Sequence, residues 1–159
     1  MKKIQTRVRR IERPIEHIIV HCSATPQGKD FGADDIDRWH RNKGLDLIGY
    51  HYVVRLDGTV ERGRDLFKAG AHCNDQYRDY DSIGVCYIGG LDDSGEPCDT
   101  RTPEQRTALR ALLQTLKGVW PLAKISGHRD WAPSRQGGCP CFDARQEYAD
   151  ITGDVYMNR

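Results

Sequence analysis

Two hydrophobic periods alternate along this chain. Residues 15–22 form a short apolar, β-branched run behind Arg13-Pro14, the pattern of a strand buried on both faces. Period two places His17, Ile19 and His21 on one side of it. After a polar loop, Ile36, Trp39, His40 and Lys43 recur at helical spacing. They predict a helix over 33–43 with Trp39 turned inward and Gly44 as its stop. Residues 49–55 read as a strand, Asp57-Gly58 as a tight turn and 59–62 as the returning arm of a hairpin. Residues 66–80 carry no regular period and are expected to form a loop over a cleft. A strand over 83–88, a Gly/Asp/Ser/Pro loop over 89–101 and a helix over 103–117 follow. That helix is signalled by a Thr102 cap, Pro103 in the first turn, Gln105 completing a capping box, and an apolar stripe of Ala108, Leu109, Leu112, Leu113 and Leu116, with Gly118 as its end. A short strand over 123–126 and a last helix capped by Asp143 and running through Tyr148 complete the order. Strand, helix, hairpin, strand, helix, strand, helix predicts an α/β domain with a single mixed β-sheet flanked by helices.

Composition narrows the class. At 159 residues, one domain with a real core is expected; 38% hydrophobic and 30% charged residues read as globular and water-soluble. No run approaches the roughly 20 apolar residues of a membrane span, so no membrane partner is expected. The net charge of +1 gives no global reason to seek nucleic acid. Lys2, Lys3, Arg7, Arg9 and Arg10 make a basic arm over 1–14, read as a solvated tail or as a steering arm for an anionic wall polymer. Residues 15–150 are the expected domain, and 151–159 a tail. The arm lacks the apolar core of a signal peptide, so a cytoplasmic location until release is expected.

Candidate chemistry concentrates in residues 125–143. There His128 and Cys139, eleven positions apart, offer an imidazole and a thiolate, both good zinc ligands, and a folded-back loop suits that offset. His21, at the end of the first strand, is the third candidate ligand. His17 lies two pleats, roughly 13 Å, from His21 along that strand and reads as a hydrogen-bonded core or rim residue, and His40 reads as structural. Cys22 and Cys86 read as packed apolar residues, Cys98 as exposed, and most of the six cysteines as reduced thiols.

Three blocks, Val20-His21-Cys22-Ser23-Ala24-Thr25, Gly49-Tyr50-His51-Tyr52 and Gly127-His128-Arg129-Asp130 with Cys139-Pro140-Cys141-Phe142-Asp143, resemble the type 2 N-acetylmuramoyl-L-alanine amidases, phage lysozyme-like enzymes related to peptidoglycan recognition proteins. Ser82-Ile83-Gly84-Val85-Cys86 is similar to the family's central strand. The resemblance spans 17–148 and implies one zinc ion held by His21, His128 and Cys139 in a cleft at strand ends. Three protein ligands leave a position open, the mark of catalytic zinc. It further implies that Tyr50 orients or deprotonates the attacking water or polarises the scissile carbonyl, and that His72 lies at the cleft edge, where it reads as a substrate contact or as a purely local hydrogen bond. The phage enzymes commonly carry a lysine two positions before the cysteine ligand; here Gly137 stands there, and Arg135 is the candidate positive charge in its place. Asp130 or a backbone carbonyl can hold a ligand imidazole in its tautomer, and Asp130 reads equally as a loop-capping aspartate.

The resemblance thus implies a zinc amidase, acting as a monomer on the muramyl peptide of the cell wall. Two rival readings stay open. One is a peptidoglycan-binding module of the same fold that does not cut. The other is a closed structural zinc site in which Cys141 joins Cys139, His128 and a second histidine.

Overall fold

The computed structural model of the chain describes residues 11–132 and 138–153. Its centre is a five-stranded mixed sheet built from β1 (His17–Cys22), β3 (Tyr52–Val54), β4 (Val60–Arg62), β5 (Ser82–Tyr87) and β7 (Lys124–Gly127), in the order β4-β3-β5-β1-β7. β1 lies between two parallel neighbours, β5 and β7, which is why its apolar run is continuous rather than alternating. β3 runs parallel to β5 and antiparallel to β4. The hairpin therefore supplies the antiparallel edge of the expected mixed sheet.

Each face of the sheet is covered by helix. Ile18, Val20 and Cys22 of β1 point, with Ile83, Val85 and Tyr87 of β5, toward α2 (Pro103–Val119), which buries Leu109, Leu113 and Leu116 against them. The Thr102 hydroxyl accepts from Gln105 N–H, and Gln105 Oε1 accepts from Thr102 N–H, closing the capping box. Gln105 then turns inward and donates to the carbonyls of Val54 and Ile88, so one buried side chain both starts the helix and pins it to the sheet. On the opposite face, α1 (Ala33–Asn42) packs Ala33 and Ile36 with Val53, Cys86 and Ile88. His17, Ile19 and His21 share this second side, as period two requires.

The structure departs from the sequence-based expectation in four places. A two-stranded sheet of β2 (Thr25–Pro26) and β6 (Gly90–Leu91) joins segments expected as loops, too short for any period to show. α2 continues through Gly118 to Val119; Trp120 N–H still reaches Leu116 O, and Lys117 Nζ satisfies the carbonyls of Pro121 and Ala123 beyond the end. The last helix divides at Tyr148 into α3 (Ala144–Glu147) and α4 (Ala149–Thr152), because Tyr148 leaves helical geometry while its ring stays buried and its hydroxyl accepts from Arg101. Arg13, counted with the basic arm, is 7% exposed and donates to the carbonyls of Leu66, Tyr80 and Ser82, so this residue is no solvated tail. Lys2, Lys3, Arg7, Arg9 and Arg10 lie outside the described residues. No helix among the described residues is long and apolar enough to cross a membrane.

Candidate active site

The topology assembles the site by register. β1 and β7 are parallel neighbours with Val20 opposite Gly127, so His21 and His128 follow at adjacent strand ends although 107 positions separate them in sequence. Their rings lie 4.7 Å apart between centroids. Cys139 folds back onto the same point. Its Sγ receives the Cys22 backbone N–H at 3.2 Å, its carbonyl accepts from Arg129 N–H, and the Tyr87 hydroxyl donates to the carbonyl of Pro140 at 2.6 Å. One ligand atom from each of His21, His128 and Cys139 lies within 4.8 Å of the others. Two imidazoles and a thiol are a borderline-soft donor set that suits zinc, and among the described residues this grouping has three members and not four.

The hydrogen-bond chain behind His21 determines its tautomer. Ser82 Oγ donates to Arg78 O and so accepts from His72 Nε2 at 3.1 Å. His72 Nδ1 is then an acceptor, and His21 Nε2–H donates to it at 2.8 Å. His21 is left with its Nδ1 lone pair on the side of Cys139, whose sulfur is 3.8 Å away. Burial holds His72 well below the usual imidazole range, consistent with this neutral form. Space for the His72 ring comes from Gly84 on β5, where a Cβ would stand 2.5 Å from a ring carbon.

Of the two readings of His72, the local hydrogen bonds are the ones visible in the fold. It lines the cleft, but both its nitrogens are engaged within the protein, and its partner is a candidate ligand rather than open cleft.

Tyr50 sits beside His21 with ring centroids 5.1 Å apart, at the point where Gly49 passes so close to Ala71 O that a Cβ would overlap it. Burial pushes its phenol well above the ordinary value, so in the metal-free chain it stays protonated near neutrality and can donate a hydrogen bond.

Of its two readings, Asp130 takes that of the loop cap. Its Oδ2 accepts from Gly127 N–H at 2.8 Å and caps the turn after β7, while the partner of His128 Nε2 is Asp75 Oδ2 at 3.0 Å. Nothing in the sequence marks Asp75, because its segment shows only glycines and hydrogen-bonding groups, with no period to place it. His17 behaves as expected, at the far end of β1 against Arg78 and Trp131, and His40 Nδ1 accepts from Gly49 N–H. Cys141 packs near Gly90 O and Cys22 Sγ, so the closed site with Cys141 is not assembled among the described residues. All six cysteines are free thiols, with Cys22 and Cys86 buried and Cys98 exposed. Arg135 and Gly137 lie outside the described residues.

His21, His128 and Cys139 line an open cleft of about 320 Å³ together with Trp39 and His40 of α1, Lys43 at its end, and Tyr50.

Known proteins resemble this chain in sequence and in fold. The family model described as N-acetylmuramoyl-L-alanine amidase matches residues 11–142. An endolysin of Enterobacteria phage K11 is 42% identical over 127 residues, covering 80% of this chain and 81% of the relative. The structure of the endolysin N-acetylmuramoyl-L-alanine amidase LysCS from Clostridium intestinale is similar at a TM-score of 0.70 and 26% identity, covering 90% of this chain and 84% of that one. A more distant relative is peptidoglycan recognition protein 1 of Bos indicus, 25% identical over 145 residues, with 87% of this chain and 75% of the relative covered. The chain belongs to the N-acetylmuramoyl-L-alanine amidase family and is an enzyme of that class.

Proposed function

We propose that this chain is a zinc-dependent endolysin which, as a monomer, hydrolyses the amide between the lactyl group of N-acetylmuramic acid and L-alanine in peptidoglycan. The observation that carries the reading is the meeting of His21, His128 and Cys139 in an open cleft. An ion held there supplies the Lewis acidity that cleavage of an unactivated amide at neutral pH requires.

The chain's own groups then have separable tasks. His72, anchored through Ser82, keeps the His21 ring fixed with Nδ1 toward the cluster. The protonated Tyr50 phenol donates a hydrogen bond to the substrate carbonyl oxygen, an interaction that strengthens as negative charge develops there. Trp39 offers an apolar wall for the glycan or peptide. Arg135 supplies the positive charge that the family's lysine provides elsewhere, stabilising charge without transferring a proton. The protein acts once it reaches the cell wall.

A second reading, recognition of peptidoglycan without cleavage, is favoured by the relationship to a recognition protein. Catalysis is the better reading because the metal-donor set is complete. Digestion of purified peptidoglycan by zinc-loaded and chelator-stripped protein, read by mass spectrometry and labelling of new amino termini, separates the two. Zinc-dependent release of stem peptides starting with free L-alanine is expected. Wall binding without release would overturn the amidase reading in favour of recognition.

A further inference from the structure

Resting on the zinc reading above, we propose that Asp75 is a positioning residue for metal binding, its carboxylate holding the His128 imidazole in the tautomer that presents Nδ1 to the ion. Asp75 Oδ2 and His128 Nε2 are 3.0 Å apart, and His128 is only 6% exposed. An ionised carboxylate is acceptor-only, so the proton it receives is the one on Nε2. The ring then offers Nδ1 as its donor atom, as His21 does through His72. A carboxylate behind a ligand imidazole also raises its basicity and removes the entropy of ring rotation.

The segment carrying Asp75 is shaped for this contact. Residues Asp75–Tyr77 form a single 3₁₀ turn in which Gln76 and Tyr77 both take left-handed φ values, 54° and 61°. Non-glycine residues hold such values only where surrounding contacts enforce them. Those contacts are visible on both sides of the turn. Before it, Asp79 Oδ1 accepts the backbone N–H groups of His72 and Cys73 at 2.7 Å each. Across it, Gln76 Nε2 donates to Trp131 O, and the Arg78 guanidinium stacks 4.9 Å over the Trp131 ring. Trp131 directly follows the 3₁₀ turn His128–Asp130, so the segments bearing the carboxylate and the imidazole are fastened to each other. One loop thus backs both histidines, with His72 behind His21 and Asp75 behind His128.

The test is the zinc dissociation constant of the full chain, measured by competition with a chromophoric chelator, beside the melting temperature of the metal-free protein. Asp75→Ala is expected to weaken zinc binding by about 10–100-fold with the metal-free melting temperature little changed. Asp75→Asn, which keeps an acceptor oxygen without the charge, should fall between it and the wild type. Should the alanine variant fail to fold, the asparagine variant decides the question. Affinity within twofold of the wild type in the folded variants would overturn the proposal. Cys73 must be tested alongside, because Cys73, Asp75 and His128 also bring ligand atoms within 4.8 Å of one another. An equal loss of affinity in Cys73→Ala would make Asp75 a direct ligand and overturn the positioning role. A wild-type chain that does not bind zinc would sink the zinc reading and this proposal together, whereas zinc binding insensitive to Asp75 would sink the proposal alone.

Discussion

Acidifying the metal-free protein should unfold it through its buried histidines, and His51 allows the effect to be calculated. His51 is 1% exposed; Gly84 N–H donates to its Nδ1, and its Nε2–H faces Lys68 O at 2.9 Å. Burial, reinforced by the positive charges of Arg13 and Arg64, pulls its pKa down to about 4 in the fold, against about 6.5 in the unfolded chain. Between those values the unfolded state binds the proton and the native state does not, so stability is present above pH 6.5 and is lost as pH falls toward 4. Integrating the two titrations from pH 7 to pH 4.5 gives a loss of about 2 kcal/mol from this group alone, or roughly 4–8 °C in Tm for a chain of this size. His72, His40 and His17 are shifted in the same direction and add to the loss. Aspartates held below the usual carboxylate range act at lower pH and leave this window largely to histidine. The assay is urea unfolding of chelator-treated protein at half-unit steps, compared with His51→Asn, which keeps an acceptor for Gly84 N–H and cannot titrate. Whatever its absolute stability, the variant should show a pH dependence shallower by about 2 kcal/mol over the window. Identical slopes for the two proteins would refute the assignment of His51 as a neutral, buried group.

Three further outcomes test the site and the scaffold. Cys139→Ser should lose bound zinc, read by elemental analysis, and peptidoglycan hydrolysis together; full activity after that change would remove Cys139 from the site. Tyr50→Phe should lower turnover by about 10²-fold with zinc content unchanged, since only the hydrogen-bond donor is removed; unaltered turnover would show that the phenol touches no reacting group. Leu113→Ala, at a fully buried position between α2 and the sheet, should destabilise the fold by about 2–5 kcal/mol in denaturant unfolding, while the folded fraction retains its zinc affinity.

Local signals in the sequence were enough for the elements that carry their own period or caps. Residues 15–22 read as a central strand because Ile18, Ile19 and Val20 put apolar side chains on both faces, and α2 was marked by its capping box and leucine stripe. The candidate ligands His21, His128 and Cys139 stood out for a different reason. The two histidines stand where an apolar run gives way to a loop, Cys139 lies in a Gly/Pro-rich loop, and all three fall in blocks that resemble one family. What the chain alone could not specify was which groups meet across long separations. Asp75 and Asp130 look alike in sequence, yet the left-handed turn at Gln76 and Tyr77 brings one to His128, while the other caps the turn after β7. His72 could be placed near the cleft, but its hydrogen bonds to His21 and Ser82 exist only because β5 lies beside β1 and Gly84 leaves room for the ring. Sequence determined this protein's longer strands, its two main helices and its candidate donor side chains, since these follow from burial and side-chain type. The tertiary structure decided the tautomers and the partners, because a hydrogen bond depends on distances that only the packed sheet sets.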